Sequence, residues 1–228
     1  MHILVKDSNA KKHFDMFYQT LEELPVKPSL PVYLGYYFGS PRKNNHIFYN
    51  TEQLSWIKHI TRLLSDINKY SPLEVWDYSL ANIEILKLHG IHTVKHVPLR
   101  STDTYKNELL SYRNTVDYDV GFCGALSPRR KEIIRRLRCA GISVNYSTQF
   151  GKKRDMQLAR CRIILNVHAQ LHLSIFESAR CEPWLSIGVP VVSEHSIIDD
   201  PRCINTSYES IVDTVKKELI ALKHKTHA

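Results

Sequence analysis

The residues whose types could do chemistry concentrate in the second half of the chain, beginning with a basic pair at a helix start. Gly121-Phe122-Cys123-Gly124-Ala125-Leu126-Ser127-Pro128-Arg129-Arg130 reads as a strand, a glycine-containing turn and a helix with Ser127 as N-cap and Pro128 at its first position. Backbone N–H groups and the positive end of the helix dipole attract an anion at such a turn, where cationic side chains are otherwise disfavoured. Arg129 and Arg130 therefore point to a bound diphosphate in a cradle that includes Gly124, with both side chains expected on the surface. The competing reading is a solvated basic face.

Further along, Gly151-Lys152-Lys153-Arg154-Asp155 precedes Arg162-Ile163-Ile164-Leu165-Asn166-Val167-His168. The apolar run reads as a buried strand, and Asn166 and His168, two residues apart, share a face at its carboxyl end. Such a histidine is a candidate catalyst or a structural residue. In the stretch from Ile175 to Glu194, Glu177 and Arg180 are three apart and share a helical face, so a simple intrahelical ion pair competes with a binding role. Glu182 precedes Pro183, which marks a kink or a new helix start. Asp117-Tyr118-Asp119 spells a metal-binding DxD but falls at the amino end of a strand, away from the end where ligands bind in open α/β sheets. No Walker loop or intact GxGxxG follows a strand, and no metal-ligand cluster is apparent, so metal-independent chemistry without a resident cofactor is expected.

These residues need elements to hold them. Short β runs alternate with amphipathic helical segments, the pattern of α/β proteins with mostly parallel sheets. Expected strands in the first half are Ile3 to Lys6, Val32 to Phe38, His46 to Asn50, Glu74 to Tyr78 and Thr93 to Pro98. Helices fall at Lys12 to Glu23, Glu52 to Asn68 and Leu80 to His89. Leu99 to Asp117 is polar and reads as a linker, giving an N-terminal domain over 1–105 and a C-terminal domain over 106–228. The second half continues with a strand at Val120 to Gly124, a helix at Pro128 to Ala140, strands at Ile142 to Tyr146 and Arg162 to Val167 around a helix at Lys152 to Ala159, then a helix at Ile175 to Ile187 and a strand at Val189 to Ser193. Two such sheets in tandem are expected to face a cleft.

Composition sets outer limits. Of 228 residues, 43% are hydrophobic and 24% charged, which excludes disordered and fibrous classes. A net charge of +8 favours phosphate-bearing partners and leaves a peripheral contact with an anionic membrane face open. No nucleic-acid reading module accompanies the basic helix, so nucleic acid is not the expected partner. Five cysteines without metal or redox spacing fit reduced thiols in a cytoplasmic setting, and neither a signal peptide nor a transmembrane span is apparent.

The Ile175–Glu194 segment resembles the donor-binding motif of retaining GT-B glycosyltransferases of the family 4 type, in which a glutamate-bearing helix precedes a Gly-x-Pro-Val-Val turn and strand. The chain also resembles a family of bacterial and viral glycosyltransferase-like proteins through Tyr49-Asn50-Thr51-Glu52-Gln53-Leu54, Val75-Trp76-Asp77-Tyr78-Ser79 with Asn82, Val97-Pro98, Arg129-Arg130, Arg154-Asp155, Leu165-Asn166-Val167-His168, Ile175-Phe176-Glu177 with Arg180, and Val191-Val192-Ser193-Glu194. The resemblance implies two Rossmann-like domains with a reduced N-terminal half, a nucleotide-diphosphate sugar as co-substrate in the C-terminal half, and a saccharide acceptor held by the N-terminal half. It places a donor-ribose carboxylate on Glu182 and a sugar-facing carboxylate on Glu177. The usual pair has seven intervening residues, whereas these two are five positions apart.

On that reading Arg129, Arg130 and Arg154 stabilise the departing diphosphate, with Gly124, Asp155, Asn166, Arg180 and Glu182 completing the donor site. Glu177 and His168 are then the catalytic candidates. Glu52 and Asp77, at strand ends in the first half, are candidates for orienting the acceptor hydroxyl, against a competing role as helix caps. The expected activity is transfer of a sugar from a nucleotide donor to a saccharide acceptor with retention. The alternatives are a phosphate- or nucleic-acid-binding module without catalysis, and an epimerase or hydrolase acting on sugar nucleotides.

Overall fold

The structure is a computed structural model that describes residues 3–4, 14–35 and 44–225. The chain divides into two compact units, one comprising residues 1–102 with His172–Phe176, the other Asp103–Leu171 with Glu177–Ala228. Each contains one five-stranded sheet in which every pairing is parallel. The protein is thus α/β, with two parallel sheets compatible with a Rossmann-like arrangement.

In unit 1 the strands β1 (Ile3–Leu4), β2 (Val32–Leu34), β3 (Ile47–Tyr49), β4 (Glu74–Asp77) and β5 (Val94–His96) lie side by side in chain order. Three described helices accompany them: α1 (Asp15–Glu22), α2 (Ile57–Tyr70) and α3 (Leu80–Leu88). The register pairs Phe48 with Val75 and Tyr49 with Trp76, so successive residues serve opposite faces. Phe48 and Val75 pack with Ile60 and Leu63 of α2 and Leu86 of α3. Phe17 of α1 instead meets Tyr49 edge-on at 5.0 Å and Tyr78 at 5.8 Å. Both faces are therefore buried, and the strands read as continuous apolar runs rather than alternating ones. The expected continuation of β2 through Phe38 and the start of the first helix at Lys12 lie outside the described residues. The helix expected from Glu52 begins only at Ile57, with Trp56 as its N-cap residue.

Unit 2 holds α4 (Asp103–Ser111), β6 (Tyr118–Cys123), α5 (Pro128–Cys139), β7 (Val144–Ser147), α6 (Gly151–Leu158), β8 (Cys161–Asn166), α7 (Ser178–Leu185), β9 (Val191–Glu194), β10 (Ile204–Thr206) and α8 (Ile211–Lys225). The strand order is β10-β9-β8-β6-β7. Val120 and Phe122 of β6, Ile163 and Leu165 of β8 and Val192 of β9 pack with Ile133 and Leu137 of α5 and Ile211 and Val215 of α8. Right-handed crossovers in this order place α6 and α7 on the other face. There Gly121 lies so close to β8 that a Cβ on it would sit 2.9 Å from both Cys161 Sγ and Ile164 Cδ1.

The segment read as a linker contains a helix. Tyr105 and Leu109 of α4 are 7% and 0% exposed, and the Tyr105 hydroxyl donates to Asp155 Oδ2 of α6 at 2.8 Å. The polar surface of α4 hid the two apolar residues, four apart, that fasten it to unit 2. β10 and α8 were also missing from the sequence reading, the first because three half-polar residues give little periodicity. Leu109→Ala is expected to lower unfolding stability by about 2–5 kcal/mol, as cavity formation does in a core. A urea titration showing no change in midpoint would return this segment to the status of a linker.

Candidate functional site

In unit 2 the chain steps from β6 outward to β7 and then adds β8, β9 and β10 on the other side of β6. The order reverses between β6 and β8, and ligands of open α/β sheets bind outside the carboxyl ends of strands at such a point. Gly124, the first residue after β6, is exposed and has φ +114, a conformation that residues with a Cβ rarely adopt. A Cβ here would also lie 2.6 Å from Arg180 Nη2 and 3.5 Å from Arg130 Nη1. The bare glycine backbone thus leaves room for the Arg180 and Arg130 guanidinium groups to lie directly against the crest of the sheet.

Those guanidiniums are held tightly. At the start of α5 the Ser127 hydroxyl accepts from the Arg130 N–H at 3.3 Å, so the cap forms as its sequence predicts. Arg130 itself is 4% exposed. Its Nε donates to the Val167 carbonyl at 2.7 Å, its Nη1 to the Ala125 carbonyl at 3.0 Å and its Nη2 to Glu177 Oε1. The other oxygen of Glu177 receives Arg180 Nη2, whose Nη1 donates to Asn166 Oδ1 at 2.9 Å. Both guanidiniums also stand over the Phe122 ring, at 5.4 and 5.1 Å. Burial pulls Arg130 below the ordinary arginine value against the opposing effect of Glu177. Burial also works against the charge on Arg180, yet Glu177 beside it holds that group above its ordinary value.

Arg129 turns the other way. Both of its terminal nitrogens reach Glu194 at the end of β9, and its guanidinium stacks 3.7 Å from the Tyr208 ring centroid. Neither arginine of the pair is the free surface cation expected at a helix start. A first-turn cation with no anion is unfavourable, and here a carboxylate from another strand or loop supplies the anion for each. Glu194, which also accepts the His168 N–H at 3.0 Å, is the principal residue that sequence reasoning left out of the site. Its signal was present as the last residue of the Val-Val-Ser-Glu strand.

His168 is 2% exposed. Its Nε2 lies 3.0 Å from the His195 carbonyl, which can only accept, so Nε2 carries the proton of the neutral ring. Burial lowers its pKa, with Glu194 and Glu177 opposing. Ser196 Oγ approaches Nε2 at 3.3 Å, but a protonated Nε2 cannot take a proton from that hydroxyl, so this is no nucleophilic dyad. Nδ1 is left as a buried acceptor without a partner among the described residues. Asn166, fully buried, also donates to Ser193 Oγ at 3.0 Å.

Arg154 and Asp155 flank the same strand end. Both act electrostatically on Cys123, whose thiol burial pushes up while Arg180 and Arg154 pull it down. Arg154 Nε pairs with Asp155 Oδ1 at 2.8 Å, and Arg154 Nη2 lies 3.3 Å from the Tyr105 hydroxyl. Glu182 belongs elsewhere. It is 7% exposed and accepts from Arg202 Nη2 at 2.8 Å, an arginine that also binds Asp200. Burial raises its pKa while Arg202 opposes the rise. None of Glu182's partners is a partner of Glu177, and Glu177 spends both oxygens on arginines, so the roles carried over to these glutamates by resemblance find no free carboxylate at the crest.

In unit 1, Asp77 is 0% exposed. Its carboxylate accepts from the Ser79 N–H at 2.8 Å, Asn50 Nδ2 at 2.7 Å and Asn82 Nδ2 at 3.0 Å. Asn82 in turn takes the Leu54 N–H and donates to the Glu52 carbonyl, each at 2.9 Å. Asp77 is therefore an internal tie that fixes residues 50–54, and it cannot orient an acceptor hydroxyl. Burial raises its pKa to about 7 against the hydrogen bonds that favour its charge. Glu52 does not cap a helix, because α2 starts five residues later; its side chain is 35% exposed and lines a recess in unit 1. Asp117 pairs with Arg160, and Asp119 accepts from the Ser143 N–H and hydroxyl. Among the described residues no three His, Cys, Asp or Glu side chains form a group that could hold a metal, and no helix is long and apolar enough to cross a membrane.

The fold and this crest define an α/β protein with two parallel sheets and an ion-paired arginine cluster at a strand-order switch point. The chain belongs to the family of uncharacterized protein R358 of Acanthamoeba polyphaga mimivirus, with which it is 30% identical over 216 residues, covering 93% of this chain and 70% of the relative. It is also 34% identical to uncharacterized protein L140 of the same virus over 196 residues, 81% of this chain and 62% of that protein. Uncharacterized protein L137 of that virus is 34% identical over 152 residues, 65% of this chain and 20% of L137. The chain thus spans less than two thirds of the length of L140 and a fifth of that of L137. No protein-family model and no solved structure matches it.

Two outcomes follow from these geometries. Arg130→Ala strips Glu177 of a buried partner and leaves two carbonyls unpaired, and is expected to lower stability by about 3–5 kcal/mol, whereas Arg135→Ala on the exposed side of α5 leaves the denaturant midpoint in place. Equal midpoints for the two variants would contradict the buried network. For Asp77 the folded state favours the proton, so its stabilising contribution is complete below the unfolded value of 3.8 and is lost as pH rises through about 7. From about pH 5 to 8 the parent should lose roughly 2 kcal/mol relative to Asp77→Asn. A stability difference that stays flat with pH would refute this.

Proposed function

We propose that the protein is a sugar-nucleotide-dependent glycosyltransferase of the GT-B type, with the donor diphosphate bound over the β6–α5 turn of unit 2. The observation that carries this reading is Gly124: exposed, at positive φ, with Arg180 Nη2 where its side chain would begin. An anion approaching the glycine backbone meets Arg180 with Arg130 behind it. The three arginines 129, 130 and 180 face the two carboxylates Glu177 and Glu194, which leaves an excess of one positive charge at the switch point. The resemblance of the Ile175–Glu194 segment to donor-binding motifs supports the same ligand.

In the transfer, the bond from the sugar's anomeric carbon to the diphosphate oxygen breaks as a bond to the acceptor hydroxyl oxygen forms. The hydroxyl proton passes to the departing diphosphate, which gives retention. Charge builds on the leaving diphosphate in the transition state, and guanidiniums held rigid by carboxylates stabilise it without reorganising. Glu177 is a positioning residue on this account, aligning Arg130 and Arg180, and Glu194 does the same for Arg129. His168 presents a neutral ring with Nδ1 as an acceptor for a ligand hydroxyl.

A thermal-shift panel of nucleotide sugars tests the reading. A donor at about a hundred times its Kd should raise stability by roughly 2.7 kcal/mol, with the shift persisting in EDTA. Arg180→Gln and Gly124→Ala are each expected to weaken that donor tenfold or more, since a hydrogen bond to a charged group contributes about 1.5–3 kcal/mol. If no nucleotide sugar shifts the melting temperature, the proposal fails.

A further inference from the structure

The loop after β9 carries a carboxylate–imidazole pair that the donor site does not use. His195 Nδ1 lies 2.7 Å from Asp199 Oδ2, and Asp199 Oδ1 accepts the Ser196 N–H at 2.7 Å. An ionised carboxylate only accepts, so in the neutral ring Nδ1 carries the proton and Nε2 presents its lone pair. The His195 side chain is 57% exposed, and among the described residues nothing bonds to Nε2. The backbone beneath the ring is held on both sides. The His195 N–H donates to the Thr206 carbonyl and the His195 carbonyl accepts from His168 Nε2, each at 3.0 Å. A solvent-facing acceptor nitrogen on a fixed frame, with its tautomer set by a carboxylate, is the arrangement of a general base.

Strand register places this pair on the same edge of the unit 2 sheet as the crest. β6 and β8 pair Gly121 with Ile164, and β8 and β9 pair Asn166 with Ser193. Continued past the strand ends, this sets Gly124 level with Val167, and His168 level with His195. His195 therefore stands two strand spacings, about 10 Å, from the Gly124 turn. Enzymes that hydrolyse a glycosidic bond with inversion separate the group serving the leaving oxygen from the base by roughly 6.5–9.5 Å, the room an attacking water needs. Arg180 and Arg130 lie against Gly124, where the leaving diphosphate is placed, and the base stands at a separation of the same order.

We infer that His195, oriented by Asp199, is the base for a second activity of unit 2, hydrolysis of the sugar nucleotide with inversion; this rests on the glycosyl-transfer reading for the bound donor. A water oxygen bonds to the anomeric carbon as the bond from that carbon to the diphosphate oxygen breaks. The departing oxygen keeps the electron pair of the broken bond, and one proton of the water passes to His195 Nε2 and from there to solvent. The products are the free sugar and the nucleoside diphosphate. Proton NMR of the full chain with the α-linked donors UDP-glucose, UDP-N-acetylglucosamine and GDP-mannose tests it. The sugar first released from at least one of them should be the β anomer, observed before mutarotation mixes the two. His195→Gln should lower kcat for that release by at least about a hundredfold with KM unchanged. Asp199→Asn, acting through the same ring, should lower kcat and leave KM in place. The two side chains are 57% and 33% exposed, so both variants should keep the parent's melting temperature. Release of the α anomer first, or an unchanged kcat in His195→Gln, would overturn the inference. A nucleotide sugar that raises the melting temperature and is not hydrolysed overturns this activity alone. Hydrolysis with the β anomer released and no transfer to any added saccharide leaves the base standing and removes glycosyl transfer, whereas absence of all nucleotide-sugar binding overturns both.

Discussion

The Glu177 carboxylate, shared between Arg130 and Arg180, is the contact on which the rest of unit 2 depends. Removing three charges from water is costly, and the cost is offset only where Coulomb attraction is joined by hydrogen bonds that satisfy the remaining donors. Arg130 meets that condition through the carbonyls of Ala125 and Val167, and Arg180 through Asn166. These partners come from the turn after β6 and the end of β8, and the shared carboxylate from the residue just before α7. One carboxylate therefore ties together three pieces of backbone at the strand ends. Glu194 repeats the device with Arg129 and the His168 N–H on the neighbouring strand. The crest is rigid because its charges are paired, and it still carries an excess positive charge because the arginines outnumber the glutamates.

Unit 1 buries its carboxylate by different means. Asp77 has only neutral donors around it, from Asn50, Asn82 and the Ser79 backbone. Amide hydrogen bonds stabilise the ionised form less than a guanidinium would, so burial dominates and the carboxyl titrates near neutrality. What Asp77 secures is a short stretch of loop: through the two asparagines it fixes the backbone of Glu52 and Leu54. The contrast is one of partners: charged guanidiniums in unit 2, neutral amides in unit 1. In unit 2 the arginines neutralise the acids and the crest stays basic. In unit 1 the buried acid is satisfied by neutral groups.

Much of the architecture was legible along the chain. The apolar run Ile163-Ile164-Leu165 gave a buried strand, Ser127-Pro128 gave the start of α5, and Ser79 gave the start of α3, because capping and burial on both faces depend on local residue types. The crest residues Gly124, Arg130, Asn166, His168 and Glu177 could be named from their position after strands in an α/β pattern. Their partners could not. Arg130 and Glu177 are 47 positions apart and Arg129 and Glu194 are 65 apart, and nothing in residue spacing reports which carboxylate a folded sheet brings to which arginine. The sequence by itself determined the element types, the strand ends that carry functional side chains and the presence of excess basic charge. Only the tertiary structure decided that the basic pair is tied rather than free, that Asp77 is internal, and that Glu182 sits apart from Glu177. Strand order and burial set those outcomes, and both are properties of the packed sheet rather than of any local segment.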